Sequence, residues 1–263
     1  MNAMNSPLVS VVIPSYNSND YILTTLDSAI GQSYRPLEII FVDDGSTDNS
    51  LKTVRNYLVN MSTKSQSLSY KIFSQKNQGP SVARNKGIKE ACGKYVAFLD
   101  ADDKWDQDKI RKQVEFLENN LIIGLVATLT RPLIKETEYS VISFPELLIR
   151  SRFSTTSVLC RKDIVEKFYF NENQRYSEDY LLWLQIAERY TCLIINEYLT
   201  FQNPKPRFGA KGLSSKLWLM EKGELSNYLF FYRKKSISLR YLLRISLFSM
   251  LRYIRRCILT YCK

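Results

Sequence analysis

Residues 95–105 read YVAFLDADDKW: an apolar run stops, and Asp100, Asp102 and Asp103 follow with only Ala101 among them. Three carboxylates within four residues repel one another unless an opposite charge joins them. Clustered carboxylates are hard oxygen ligands for Mg2+ or Mn2+, which bind through one or two carboxylates and complete their shell with substrate phosphates. A solvated acidic turn has the same composition, so the cluster alone leaves both readings open. Two further acidic stretches stand out, DDGSTD at 43–48 and YSEDYLLWLQIA at 176–187. In the latter, Ser177 suits a helix N-cap, and Glu178 and Asp179 in a first turn favour the helix dipole. Neither GxGxxG nor a GxxxxGK loop occurs. Phosphate must therefore be held by a device other than the two commonest glycine-rich loops.

The surrounding elements alternate. LVSVVI (8–13), LEIIFV (37–42), SYKIF (69–73) and YVAFL (95–99) read as strands, with helical patterns over 20–32, 47–59, 81–91 and 107–119. Continuous apolar runs joined by helices predict an α/β fold with a mostly parallel sheet covered on both faces. Such sheets bind ligands outside the carboxyl ends of their strands, near a topological switch point. Here the first strand empties into PSYN (14–17), the second into DDGSTD and the fourth into DADD. Three polar clusters thus share one end of the sheet, and the acids belong to a rim. Beyond residue 120 the pattern loosens. TTSVLC (155–160) and TCLIIN (191–196) read as strands and 178–189 as a helix. QNPKPRFGAKGLSS (202–215) is a loop long enough to be a lid.

Composition narrows the chemistry. The 263 residues contain no histidine, which excludes Ser-His-Asp catalysis, Cys-His proteolysis and His-ligated zinc. Five cysteines (Cys92, Cys160, Cys192, Cys257, Cys262), odd in number and without a CxxC pair, read as reduced thiols and not a disulfide frame. MNAMNSPLVS has no basic or apolar leader pattern, and LIIGLVATL (121–129) is about half the length of a membrane span, so a cytoplasmic location is expected. The net charge is +11, yet residues 231–263 hold nine Lys/Arg and no acid, leaving +2 on the rest. In that tail Arg240, Arg244, Arg252, Arg255 and Arg256 fall largely on one helical sector. Leu239, Leu243, Leu247, Met250 and Ile254 fall largely on another. A basic amphipathic helix suits an anionic membrane surface; a terminal helix packed on the body with its arginines in water is the alternative. No nucleic-acid motif accompanies the charge, so no nucleic-acid partner is expected.

VSVVIPSYN, IIFVDDGSTD, NQGPSVARNKGI and YVAFLDADD, in this order and spacing, resemble the inverting nucleotide-sugar glycosyltransferases of family 2 with the Rossmann-like GT-A fold, over roughly residues 8–190. The resemblance places Pro14, Tyr16 and Asp44 around a uracil ring and Arg84 near the diphosphate. It makes Asp100, on the nucleotide side, and Asp102 the DxD pair, with Asp102 the first choice as ligand of the cation, Mn2+ or Mg2+, and Asp103 a close alternative. It makes Asp179 the base that deprotonates the acceptor, with Glu178 as its neighbour, in a single metal-dependent displacement. No QxxRW motif follows, which points to one sugar per encounter. Some members use a downstream histidine on the metal; this chain has none, and Lys205, Arg207 and Lys211 either contact phosphate in its place or are solvated. The FNENQRYSEDYLLWLQIA segment resembles bacterial O-antigen and capsule enzymes. It implies transfer of glucose or galactose from a UDP-sugar to a sugar carried on undecaprenyl diphosphate, at the inner face of the cell membrane. The expected division is a transferase unit over 1–200, a lid-like loop and helix over 201–230, and a membrane-associating helix over 231–263. A sugar-nucleotide pyrophosphorylase would show a glycine-rich N-terminal loop with a lysine, which PSYNSNDY lacks. A non-catalytic nucleotide-sugar or glycan-binding module is the other alternative.

Overall fold

The computed structural model describes residues 6–64, 68–133, 136–203 and 215–261. The first half alternates as its periodicity predicts: β1 (Val9–Ser15), α1 (Ile22–Ile30), β2 (Leu37–Asp43), α2 (Ser50–Lys64), β3 (Ser69–Ser74), α3 (Pro80–Glu90) and β4 (Tyr95–Phe98). Then come the short β5 (Lys104–Trp105), α4 (Lys109–Asn119), β6 (Ile123–Leu129), β7 (Tyr139–Ile142), α5 (Phe144–Ile149), β8 (Leu159–Arg161), α6 (Lys162–Val165), α7 (Glu178–Ala187) and β9 (Thr191–Tyr198). The chain continues through β10 (Thr200–Phe201) to α8 (Leu217–Arg233) and α9 (Leu239–Tyr261).

Among the described residues, eight strands form one sheet in the order β3-β2-β1-β4-β8-β6-β9-β7. β1, β2, β3 and β4 are parallel neighbours, β8 runs against β4 and β6, and β7 runs against β9. The chain winds outward from β1 to β3 and then returns to place β4 on the other side of β1, so the switch point lies between β1 and β4. Strand periodicity divides the core. Val9, Val11, Ile13, Ile39 and Phe41 pack on one face, while Val12, Ile40, Val42 and Phe98 pack on the other around Trp183. A Cβ at Gly87 would stand 2.3 Å from Val12 Cγ1, so a glycine there lets α3 lie directly on β1. Arg84, one turn earlier on α3, is thereby carried to the carboxyl ends of the strands.

Two sequence expectations need correction. TTSVLC is not one strand: Thr155–Ser157 form a 3-10 turn, and only Leu159–Arg161 pair in the sheet. Ser177 makes no capping hydrogen bond; it sits in left-handed conformation with φ 56°. Cys92, Cys160, Cys192 and Cys257 are free thiols. Of the expected lid over 202–215, residues 204–214, with Lys205, Arg207 and Lys211, lie outside the described residues.

Candidate active site

Strand direction and the switch point bring the polar clusters into a single cleft of about 420 Å³, lined by Pro14, Tyr16, Asp44, Arg84, Asp100 and Asp102, among others. A cavity of similar size, about 430 Å³, lies near the far edge of the sheet against Phe116, Tyr139 and Leu193. Volume does not separate the two; only the first gathers acidic and cationic side chains at the strand ends.

The loops after β1 and β2 hold each other. Asn17 Oδ1 accepts from Thr47 N at 2.8 Å, and Asn17 N donates to Ser46 Oγ at 3.0 Å. Asp44 accepts from Gln75 Nε2 (2.8 Å) and Gln78 N (2.9 Å) at one oxygen and from Gly79 N (2.8 Å) at the other. It thus pins the segment that leads into α3. Tyr16 is half exposed and lines the same cleft.

The three acids after β4 separate. Asp100 and Asp102 face the cleft, whereas Asp103 is buried, with Oδ2 accepting from Thr156 Oγ1 (2.7 Å) and Oδ1 from Asn203 N (3.0 Å). Burial, followed by the charge of Asp100, pushes the Asp103 carboxyl up to about 6. Thr156 also accepts from Asp100 N at 3.2 Å, so one hydroxyl ties the turn to the 3-10 segment. The carboxylates that could hold a cation at this rim are Asp100, whose Oδ1 is also paired with Arg84, and Asp102. Asp103 does not fit, because both its oxygens are already engaged inside the protein. Among the described residues no cluster of three or more Asp, Glu or Cys side chains is arranged to hold a metal by itself.

Arg84 connects this rim to the helix carrying the other acids. It is buried, with Nη2 2.9 Å from Asp100 Oδ1, Nη1 3.2 Å from Glu178 Oε1, and its guanidinium 5.2 Å from the Phe170 ring centre. Its Nε has no hydrogen-bond partner among the described residues. Glu178 is buried and pushed up to about 7, first by desolvation and then by the Asp179 charge, with Arg84 pulling the other way. Asp179 is half-buried; its Oδ1 accepts from Tyr180 N (2.7 Å) and its Oδ2 from Thr155 Oγ1 (3.1 Å). Burial raises its carboxyl, opposed by Arg84. Two adjacent carboxyls are thus held above their ordinary range, joined to the cleft through Arg84.

Arg175 also lines the cleft, from the segment before α7, and is exposed. The sequence offered one signal for it, its place just before SED, and reading that stretch as a helix start passes over it.

Comparisons with known proteins follow the same outline. The family model described as "Glycosyl transferase family 2" matches residues 10–181. An uncharacterized glycosyltransferase of Rickettsia felis is 35% identical over 69% of this chain; the match spans 30% of that protein, less than a third of its length. The Escherichia coli UDP-Glc:alpha-D-GlcNAc-diphosphoundecaprenol beta-1,3-glucosyltransferase WfaP is 32% identical over 69% of this chain and 71% of its own length. Among solved structures, the Pyrobaculum calidifontis mannosyltransferase PcManGT, in complex with GDP-Man and Mn2+, superposes with a TM-score of 0.70 at 17% identity, covering 98% of this chain and 76% of that one. That likeness is one of fold.

Proposed function

The chain belongs to glycosyl transferase family 2 with a GT-A fold, and from that premise we propose that it moves a hexose, glucose or galactose, from a UDP-sugar to a lipid-diphosphate-linked sugar with inversion at the transferred carbon. The observation that carries this is the cleft itself, which gathers Tyr16, Asp44, Asp100, Asp102 and two arginines and is joined through Arg84 to Glu178 and Asp179.

In this reading Tyr16 stacks on the uracil and Asp44, already held by three donors, accepts from the base N–H. Arg84 and the exposed Arg175 meet the diphosphate, whose charge grows as it leaves. Asp102, with Asp100, would hold Mn2+ or Mg2+, which when bound supplies positive charge to the departing diphosphate. Asp179 accepts the proton of the attacking acceptor hydroxyl, and the half-buried setting of its carboxylate excludes much of the competing water. The name of the E. coli relative supports a diphosphoundecaprenol acceptor and a UDP-glucose donor. The test is UDP release from UDP-glucose or UDP-galactose with N-acetylglucosaminyl diphosphoundecaprenol as acceptor. UDP binding by calorimetry is expected to weaken about tenfold or more in EDTA relative to Mn2+, and Asp102→Ala to remove that difference. Equal UDP affinity in Mn2+ and in EDTA would defeat the metal assignment.

The tail belongs to the same proposal. Arg252 and Arg256 turn inward, Arg252 pairing with Glu224 and Arg256 Nη2 standing 2.6 Å from the buried Glu221. Ile245 and Ser249 complete the inner face of α9. Its outer face is apolar: Leu243, Leu247, Leu251 and Ile258 are 63, 65, 57 and 54% exposed, flanked by exposed Arg240, Arg244 and Arg255. No helix among the described residues is long and apolar enough to cross a membrane. A leucine stripe edged by arginines, in a tail without acids, fits the surface of an anionic bilayer, which would bring the cleft near a lipid-borne acceptor. The chain is expected to float with phosphatidylglycerol vesicles and not with phosphatidylcholine ones, and Leu247→Glu with Leu251→Glu to abolish flotation. Concentration-dependent dimers without flotation would assign the stripe to a second copy instead.

A further inference from the structure

The acidic pair is aimed by a helix that the family match does not reach, since that match ends at residue 181 and α8 begins at Leu217. Glu178 and Asp179 follow directly on Ser177, whose left-handed backbone (φ 56°) is costly for a residue with a Cβ and persists only where surroundings enforce it. Those surroundings come largely from α8. Asn227, 1% exposed, donates from Nδ2 to the Ser177 carbonyl at 2.9 Å. Its Oδ1 accepts from Gln174 Nε2 at 2.8 Å, and the same amide lies 2.9 Å from Tyr176 O and 3.2 Å from Ser177 O. Ser177 Oγ donates to the Met220 carbonyl at 3.1 Å. Gly223 lets the helix approach this closely: a Cβ there would stand 2.4 Å from Tyr176 O and 3.2 Å from Ser177 Cβ. The opposite side of α8 is held by α9, through Ser249 Oγ and Arg256 on Glu221.

We infer that Asn227, Gln174 and Gly223 are positioning residues for sugar transfer: they fix the strained Ser177 turn and so the placement of Glu178 and Asp179 beside Arg84, which lines the cleft. The inference rests on the assignment of Asp179 as base. It also makes α8 and α9 part of the reaction machinery and not an appendage, because the helix that meets the proposed lipid surface grips the helix that sets the acids. Of the proposed donor-contacting groups, Tyr16, Asp44, Asp100 and Asp102 follow β1, β2 and β4, and Arg84 lies on α3. Only Arg175 shares the segment held by Gln174 and Asn227, so UDP affinity, set mainly by the first five, separates the two functions.

The full-length chain is assayed for UDP release from UDP-glucose with N-acetylglucosaminyl diphosphoundecaprenol, and for UDP binding by calorimetry. Asn227→Ala and Gly223→Ala are each expected to lower kcat about tenfold or more, since a shift of about 1 Å in a reacting group can cost a hundredfold. The Kd for UDP is expected to stay within twofold. Where Asn227→Ala lowers the folded yield, Gln174→Ala, a change in a partly exposed loop, reads out the same hydrogen bonds. Full turnover in all folded variants overturns the inference, as does a loss of UDP affinity that matches the loss of kcat. Asp179→Asn is run alongside. If it stays active, the base assignment fails on its own; if it is dead while the α8 variants keep full turnover, the positioning inference fails alone.

Discussion

Asp179→Asn is expected to lower kcat for transfer by about a thousandfold, within the range attributed to general bases, while leaving UDP affinity within twofold. The substitution removes basicity and keeps shape. Asp179 Oδ1 accepts from Tyr180 N and Oδ2 from Thr155 Oγ1. An asparagine can keep its oxygen toward the amide and offer its NH2 to the threonine hydroxyl, which turns to accept it. Nothing in the donor cleft moves, so the loss falls on kcat. The pH profile supplies an independent check. Glu178 is pushed up to about 7 and Asp179 is raised beside it, so the pair titrates as a unit. As pH falls through about 7 the pair gains its first proton, and to the extent that this proton is shared with Asp179 the base is lost, so kcat/KM is expected to fall on the acid side. In Glu178→Gln one carboxylate leaves and Arg84 faces Asp179 without competition from Glu178; the acid limb then moves to lower pH. An Asp179→Asn enzyme with undiminished kcat would remove the proton-accepting role.

The parts of this site that the sequence reveals are those governed by period and chain direction. Continuous apolar runs require buried parallel strands, and a parallel sheet puts its strand ends on one side, so PSYN, DDGSTD and DADD had to share a rim. What period cannot resolve is which way a polar side chain turns once the strand has ended. Asp102 and Asp103 are chemically identical in a string of letters. They are separated only by Thr156 and Asn203, which reach Asp103 from 53 and 100 residues away. The tail shows the same limit. Its arginines lie on one sector by spacing, but Arg252 and Arg256 find Glu224 and Glu221 on α8 and turn inward, leaving the leucines outside. α5 carries a local signal: Ser143 and Glu146 form a capping box with proline in the first turn, a pattern present in SFPE. The left-handed Ser177 was not readable, because its geometry is imposed by Asn227 from fifty residues downstream.

Arg84→Ala is expected to be the most destabilising single change in the site, costing about 3–5 kcal/mol near pH 8. The guanidinium is buried, meets Asp100 with one nitrogen and Glu178 with another, and its removal leaves the Glu178 carboxylate buried without its cation. The pH dependence identifies that cause. Glu178 is raised above its ordinary value in the folded protein, so the stability it contributes is full below the ordinary carboxylate range and is lost as pH rises through about 7. Without Arg84 the carboxyl rises further. The loss on ionisation therefore deepens, and the gap between variant and parent widens from pH 6 to pH 8. Urea denaturation at both pH values measures it. Arg84→Lys restores only part of the stability, since an ammonium is a point charge and cannot reach two carboxylates with two fixed nitrogens. Adding Glu178→Gln to Arg84→Ala removes the stranded charge and is expected to recover stability at pH 8 more than at pH 6. Turnover stays low in that double variant, because the diphosphate still lacks its buried arginine. A destabilisation of Arg84→Ala that is equal at pH 6 and pH 8 would mean that the arginine is held by packing on Phe170 and that Glu178 is not its electrostatic partner.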